Sequence, residues 1–204
     1  LGHEVVIGTR DPASTLGRTE PDRYGNPQFP VWREQHPEIG LGTFAEAAAH
    51  DELVVNATFG ATSVETLQAA AKHLEGKVLL DIANPLDFSQ GVPPSLTVCN
   101  IDSLGEQIQR AFPAARVVKA LNTMNAMLMV DPSQLAAGDH TVFVSGNDAE
   151  AKATVTGLLG SFGWSDILDL GDITTARGSE MILPIWVRLF GVLGQPIYQF
   201  KVVR

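Results

Sequence analysis

The chain has 204 residues, a formal net charge of −9 and an apolar fraction of 45%, enough for one full α/β domain or one domain with a small extension. The acidity argues against nucleic-acid binding, which needs a basic face, and no run is long and apolar enough to span a membrane, the best (residues 182–193) being interrupted by Pro184 and Arg188. The single cysteine, Cys99, excludes an internal disulfide and favours a reducing cytoplasm, and the five histidines lack ligand spacing, so no metal site is expected.

Apolar runs of strand length alternate with helix-period segments, which predicts a doubly wound α/β fold with a parallel sheet buried on both faces. The first strand covers residues 4–8 and breaks into Gly8-Thr9-Arg10. In a doubly wound dinucleotide site, the end of the second strand faces the adenine ribose. A hydroxyl and a guanidinium there suit a 2′-phosphate that a carboxylate would repel, so Thr9 and Arg10 point to NADP, with Gly8 leaving space. A plain surface arginine is the alternative, and the adjacent Asp11 is able to neutralise it. Residues 12–42 are rich in Pro, Gly and aromatics and too long for an ordinary connection, so they read as an insert or covering loop.

The next strand, 52–57, opens into "NATFGATS". Gly60 would permit close backbone approach and Phe59 would flank a cofactor. The helix over 62–74, started by a Thr62/Glu65 capping box, would offer N–H groups to an anion. An ordinary strand-to-helix turn is the alternative. Strand 77–82 leads into "DIANPLD". Asn84 is held extended before Pro85 and either meets a ring with its amide or serves an Asn-Pro turn. A second capping box, Ser103/Glu106, starts a helix over 103–112. Strand 116–121 opens "KALNTMNAMLM", where Asn122, Thr123 and Asn125 need either a ligand or loop backbone as partners, while the methionines fill core gaps. Strands 140–145 and 166–170 flank a helix over 149–162, and the tail holds an amphipathic helix over 182–193 and a possible short strand in "YQFKVVR". Residues 1–146 are thus expected to form the nucleotide-binding domain and 147–204 a small C-terminal part.

No Ser-His-Asp pattern or HExxH motif is present, so hydrolysis has no support. Hydride transfer between two bound rings needs alignment rather than a protein nucleophile, and four polar or glycine-bearing loops at carboxyl ends of strands suit it. The segments "LGHEVVIGTRDP", "ELVVNAT", "VLLDIANPLDF", "SLGEQIQRAFPAARVVKALNTMNAMLMVDP", "HTVFVSGNDAEAK" and "LDLGDITTARGSEMILPIWVRLFG" together resemble the NADPH-dependent deazaflavin (coenzyme F-420) reductase-like family of NADP oxidoreductases. The resemblance implies a Rossmann domain with a smaller C-terminal part, often a homodimer, using NADP(H) and a small-molecule redox acceptor, a deazaflavin or flavin. It implies that Thr9 and Arg10 hold the 2′-phosphate and that Ala57, Thr58 and Phe59 contact the ribose and pyrophosphate region. Ala83 and Asn84, with Asn122 and Thr123, would lie near the nicotinamide and the acceptor ring. Direct hydride transfer implies no catalytic acid or base.

Members of that family open with a strand and a GxGxxG-type turn ahead of the stretch matching "LGHEV"; this chain begins at Leu1 without them. The first, central strand and the pyrophosphate site are therefore expected to be missing, and this chain as it stands is expected to bind NADPH poorly. The long insert also departs from the compact deazaflavin reductases. Two other readings remain: a reductase of a small imine or ketone, and a non-catalytic NADP(H)-binding sensor or complex subunit.

Overall fold

The order in which the apolar runs pair as strands decides where their polar ends gather. The computed structural model describes residues 2–21 and 27–204. β1 (Val6–Thr9) pairs in parallel with β2 (Gly40–Thr43), and α1 (Pro12–Leu16) and α2 (Phe29–Gln35) lie between them in the chain. The insert is therefore partly helical; its residues 22–26 lie outside the described residues. Asp11 starts α1 by accepting the Ser14 N–H at 3.0 Å, with Pro12 in the first turn. β2 runs straight into α3 (Phe44–His50), which opens on a capping box between Thr43 and Glu46.

A second sheet holds β3 (Leu53–Asn56) and β4 (Val78–Asp81). The hairpin strands β5 (Leu86–Asp87) and β6 (Ser95–Leu96) follow in the chain but pair only with each other. β7 (Arg116–Ala120), β8 (Thr141–Gly146) and β9 (Asp166–Gly171) complete the sheet in the order β3-β4-β7-β8-β9. β3, β4 and β7 are parallel, as are β8 and β9, but β8 runs antiparallel to β7. The expected parallel sheet is thus present at the centre, and the one departure from it is the reversal between β7 and β8. A parallel return needs a crossover that traverses the sheet. The connection between β7 and β8 is broken into α6 (Ala126–Val130) and two 3-10 turns (Pro132–Gln134 and Ala136–Gly138), and even α6, with about 8 Å of rise, is too short to run the length of β7, so the chain re-enters at the end it left.

The two sheets share no ladder. The break falls between the strands that a doubly wound order places on either side of its first strand. Val5 and Val55, beside this break, are 43% and 48% exposed.

α4 (Ser63–Gln68) and α5 (Leu104–Ala111) cover one face, meeting Leu79 and Val117 through Leu67, Ile108 and Phe112. Leu80, Val118, Val142 and Val144 point the other way, against Val155 and Leu159 of α7 (Ala149–Ser161) and Trp164, as strand alternation requires. The helix predicted over 62–74 is instead α4 between two 3-10 turns, and Thr62 makes no side-chain cap. Its hydroxyl donates to the Phe59 carbonyl, while Ser63 is drawn into the sheet by Asn56. The tail helix expected over 182–193 is α9 (Leu183–Leu193), and a further short helix, α8 (Ala176–Met181), precedes it. "YQFKVVR" is not a strand, although Phe200 O accepts the Thr141 N–H and ties it beside β8. Among the described residues no helix is long and apolar enough to cross a membrane.

Candidate functional site

The last rungs of β3, β4 and β7 set Asn56, Asp81 and Lys119 side by side, and Ser145 of β8 continues the row. All four are buried, so the row must satisfy its own polar groups. Asn56 Nδ2 donates to Asp81 Oδ1 at 2.8 Å and to Ser63 Oγ at 3.2 Å, and its Oδ1 accepts the Thr58 hydroxyl at 2.7 Å. Lys119 Nζ donates to Asp81 Oδ2 at 2.9 Å and to the Ala83 carbonyl at 2.5 Å, and reaches Glu180 Oε1 of α8 at 3.0 Å. Glu180 also accepts the Leu104 and Gly105 N–H groups, at 2.8 and 3.0 Å, where α5 begins. Burial disfavours the charged form of Lys119, but the Asp81 and Glu180 carboxylates outweigh it and hold the ammonium above its ordinary pKa.

None of Asp81, Lys119 and Glu180 was singled out from the sequence. Lys119 interrupts an apolar run, "RVVKAL", where a lone charge reads as the strand's exit, and Glu180 lies far along the chain. The available signal was a lysine between two buried residues of a central strand, which has to find a carboxylate.

The loops after β3, β4 and β7 meet. A Cβ on Gly60 would sit 1.8 Å from the Asn84 carbonyl oxygen, so the close approach expected at Gly60 is made by a neighbouring loop and leaves no room there for a ligand. Asn84 Nδ2 donates to Asn122 O at 2.7 Å, and Asn122 Nδ2 donates to Asn84 Oδ1 at 3.0 Å. Ala83 donates its N–H to Asp81 at 3.1 Å. Leu121, just before Asn122, has φ of 61°, in the left-handed region. Asn122 and Thr123 are buried. Asn125 caps α6 by accepting the Met127 N–H, so its partner is loop backbone. Ala57 is exposed, Thr58 is half-buried and turned inward on Asn56 and Ser63, and Phe59 is 54% exposed. The Phe59 ring lies 6.3 Å from that of Phe88, which is 39% exposed.

Thr9 and Arg10 belong to the other sheet, and no hydrogen bond among the described residues joins them to these loops. The Thr9 and Thr15 hydroxyls are 2.7 Å apart, and Arg10 is exposed. Asp11 is engaged in capping α1. The space at Gly8 is filled by α3: a Cβ there would stand 3.0 Å from that of Ala47 and 3.3 Å from Phe44.

The outward-facing set is therefore a guanidinium, the exposed loop at Ala57 and Phe59, and two phenyl rings. This donor set suits a phosphate and planar rings better than a substrate needing proton transfer. Among the described residues no group of three His, Cys, Asp or Glu is placed to hold a metal.

A candidate F420-dependent NADP-reductase from Arthrobacter sp. FB24, known from a crystal structure, is 62% identical to this chain, with a TM-score of 0.95 over 100% of this chain and 90% of that one. The metalloreductase STEAP3 of Rattus norvegicus is 29% identical over 190 residues, 91% of this chain but 33% of the relative, so the chain spans about a third of that protein's length. The F420-dependent NADP reductase of Methanocaldococcus jannaschii is 26% identical over 152 residues, 74% of this chain and 67% of that reductase. No family model matches.

Proposed function

The chain belongs to the family of F420-dependent NADP reductases, which are NADP-dependent oxidoreductases, and from that premise we propose that it passes hydride between NADP(H) and a deazaflavin or flavin-like acceptor. The observation that carries the acceptor reading is the exposed Phe59–Phe88 pair beside the Gly60–Asn84 contact. A planar tricyclic ring gains from stacking on such a surface, and a small aliphatic imine or ketone gains little.

When bound, NADPH supplies the hydride. In this reading Arg10 holds the 2′-phosphate through parallel N–H donors, with Thr9 adding a hydroxyl. Ala57, Thr58 and Phe59 follow the ribose and pyrophosphate. Ala83, Asn84, Asn122 and Thr123 fix the nicotinamide side, and the two phenyl rings shield the acceptor from water. No side chain of this set is asked to take or give a proton, which agrees with their types. We place the enzyme in the cytoplasm as a homodimer. Support comes from the exposed free thiol of Cys99 and from exposed apolar side chains of α9, Ile185, Phe190 and Val192, which suit a partner surface.

NADPH oxidation by the protein, followed with F420, FMN and riboflavin as acceptors, tests the proposal. Turnover is expected with F420. Phe88→Ala should raise the acceptor KM roughly two- to tenfold and leave the NADPH KM in place. Tight NADPH binding without turnover of any acceptor would overturn it in favour of a sensor.

A further inference from the structure

Lys119 is the largest fully buried side chain of the described residues. Two carboxylates and one ammonium share its site, a buried net charge of −1 compensated by N–H groups of Asn56, Ala83, Leu104 and Gly105. Such a set is poor at stabilising a fold, since apolar side chains of similar volume often do as well or better. Its three N–H donors are all engaged, by Asp81, Ala83 and Glu180. An ammonium so occupied cannot serve as a ligand for a substrate or exchange a proton with one.

What the set does hold is one peptide unit on each side of Ala83. Asp81 takes the Ala83 N–H while Lys119 takes the Ala83 carbonyl. The next residue is Asn84, whose amide is locked to Asn122 in both directions. Asn122 in turn follows Leu121, a non-glycine residue at positive φ, a conformation that persists only where its surroundings impose it. The chain of contacts thus runs from Glu180 of α8 through Lys119 and Ala83 to the Asn84–Asn122 pair.

We propose that Lys119 is a positioning residue for hydride transfer, clamping the Ala83 carbonyl so that the Asn84–Asn122 pair presents a fixed surface to the nicotinamide. This rests on the reading of these loops as the nicotinamide side. Hydride transfer is sensitive to ring placement, and a displacement of about 1 Å costs on the order of a hundredfold in rate.

The test uses Lys119→Met with Glu180→Gln, which keeps the buried net charge at −1 while removing the donor to Ala83. The expected result is NADPH affinity by calorimetry within about threefold of native, with kcat lowered on the order of ten- to a hundredfold. The emission anisotropy of bound NADPH should fall as the nicotinamide gains freedom. Lys119→Gln with Glu180→Gln, which holds the same buried net charge and offers an amide N–H toward Ala83, should lie between, and it decides the matter alone if the variant carrying Met does not fold. Native kcat and native anisotropy in these variants would overturn the proposal. Anisotropy needs no acceptor, so native protein that fixes NADPH but turns over no acceptor would count against the proposed activity and leave the positioning role to be judged by the variants.

Discussion

At the scale of single residues, the site is built from close approaches that tolerate no substitution. Gly60 is the sharpest case, because an added methyl group would overlap the Asn84 carbonyl at 1.8 Å, and backbone cannot step aside as a flexible side chain would. Gly60→Ala is expected to lower stability by about 2–3 kcal/mol through overpacking and to weaken NADPH binding by separating the loops after β3 and β4. Urea unfolding and calorimetry measure the two effects, and unaltered values for both would refute the packing argument. Apart from Phe59, the candidate residues on these loops stand out in the sequence because each is polar or small at the end of an apolar run. Lys119 was not readable, since its meaning depends on Asp81 and Glu180, and pairing across a fold leaves no trace in local spacing.

At the scale of elements, α5 shows how local sequence rules set a local structure. Ser103 accepts the Glu106 N–H, and its hydroxyl donates to the Glu106 carboxylate. Asp102, just before the helix, is bridged to Arg110 in its last turn at 2.8 Å. The hydrogen bond from Arg110 is the largest influence on Asp102; burial opposes it, Gln107 and the Ser103 N–H add to it, and the carboxyl is held at about 2 against an ordinary 3.8. A depressed carboxyl stabilises the fold above its unfolded pKa and loses that contribution as pH falls through its folded value. The native protein should therefore exceed Asp102→Asn in stability at about pH 5, by no more than about 1 kcal/mol because Arg110 is largely exposed, and the gap should close near about pH 2. Chemical denaturation at both pH values checks this; a gap independent of pH would contradict it. The Ser103 cap was legible in the sequence, but not the full box, because Glu106 turns its carboxylate to the Ser103 hydroxyl and to Arg177 instead of the Ser103 N–H. The Thr43/Glu46 box that opens α3 is equally plain in "TFAE", but it sits behind the glycine-rich β2, "GLGT", which carries too few apolar side chains to read as a strand. Thr62/Glu65 misled because Phe59 and Asn56 compete for the hydroxyls of Thr62 and Ser63.

At the scale of the whole molecule, the strand-helix alternation was legible because strands buried on both faces are apolar for most of their length, and β4, buried at every position, is apolar up to Asp81. The reversal at β8 was not, because direction depends on how far α6 reaches. The division into two sheets should appear in dynamics. β1 is only half-buried along its length, so hydrogen exchange is expected to show β1 and β2 opening at lower free energy than β4 and β7. Equal protection of both sheets would count against this. The polar row has a consequence for folding as well. Parallel strands rich in Val and Leu offer many near-equivalent alignments. Shifting β7 by one residue against β4 would turn Lys119 to the opposite face, away from Asp81 and Glu180. An ammonium buried there without a carboxylate costs several kcal/mol, while the valines around it would pack almost as well. Asn56, Asp81 and Lys119 therefore act as an alignment mark, and a chain that pairs its strands out of step is rejected at that row before its loops can meet.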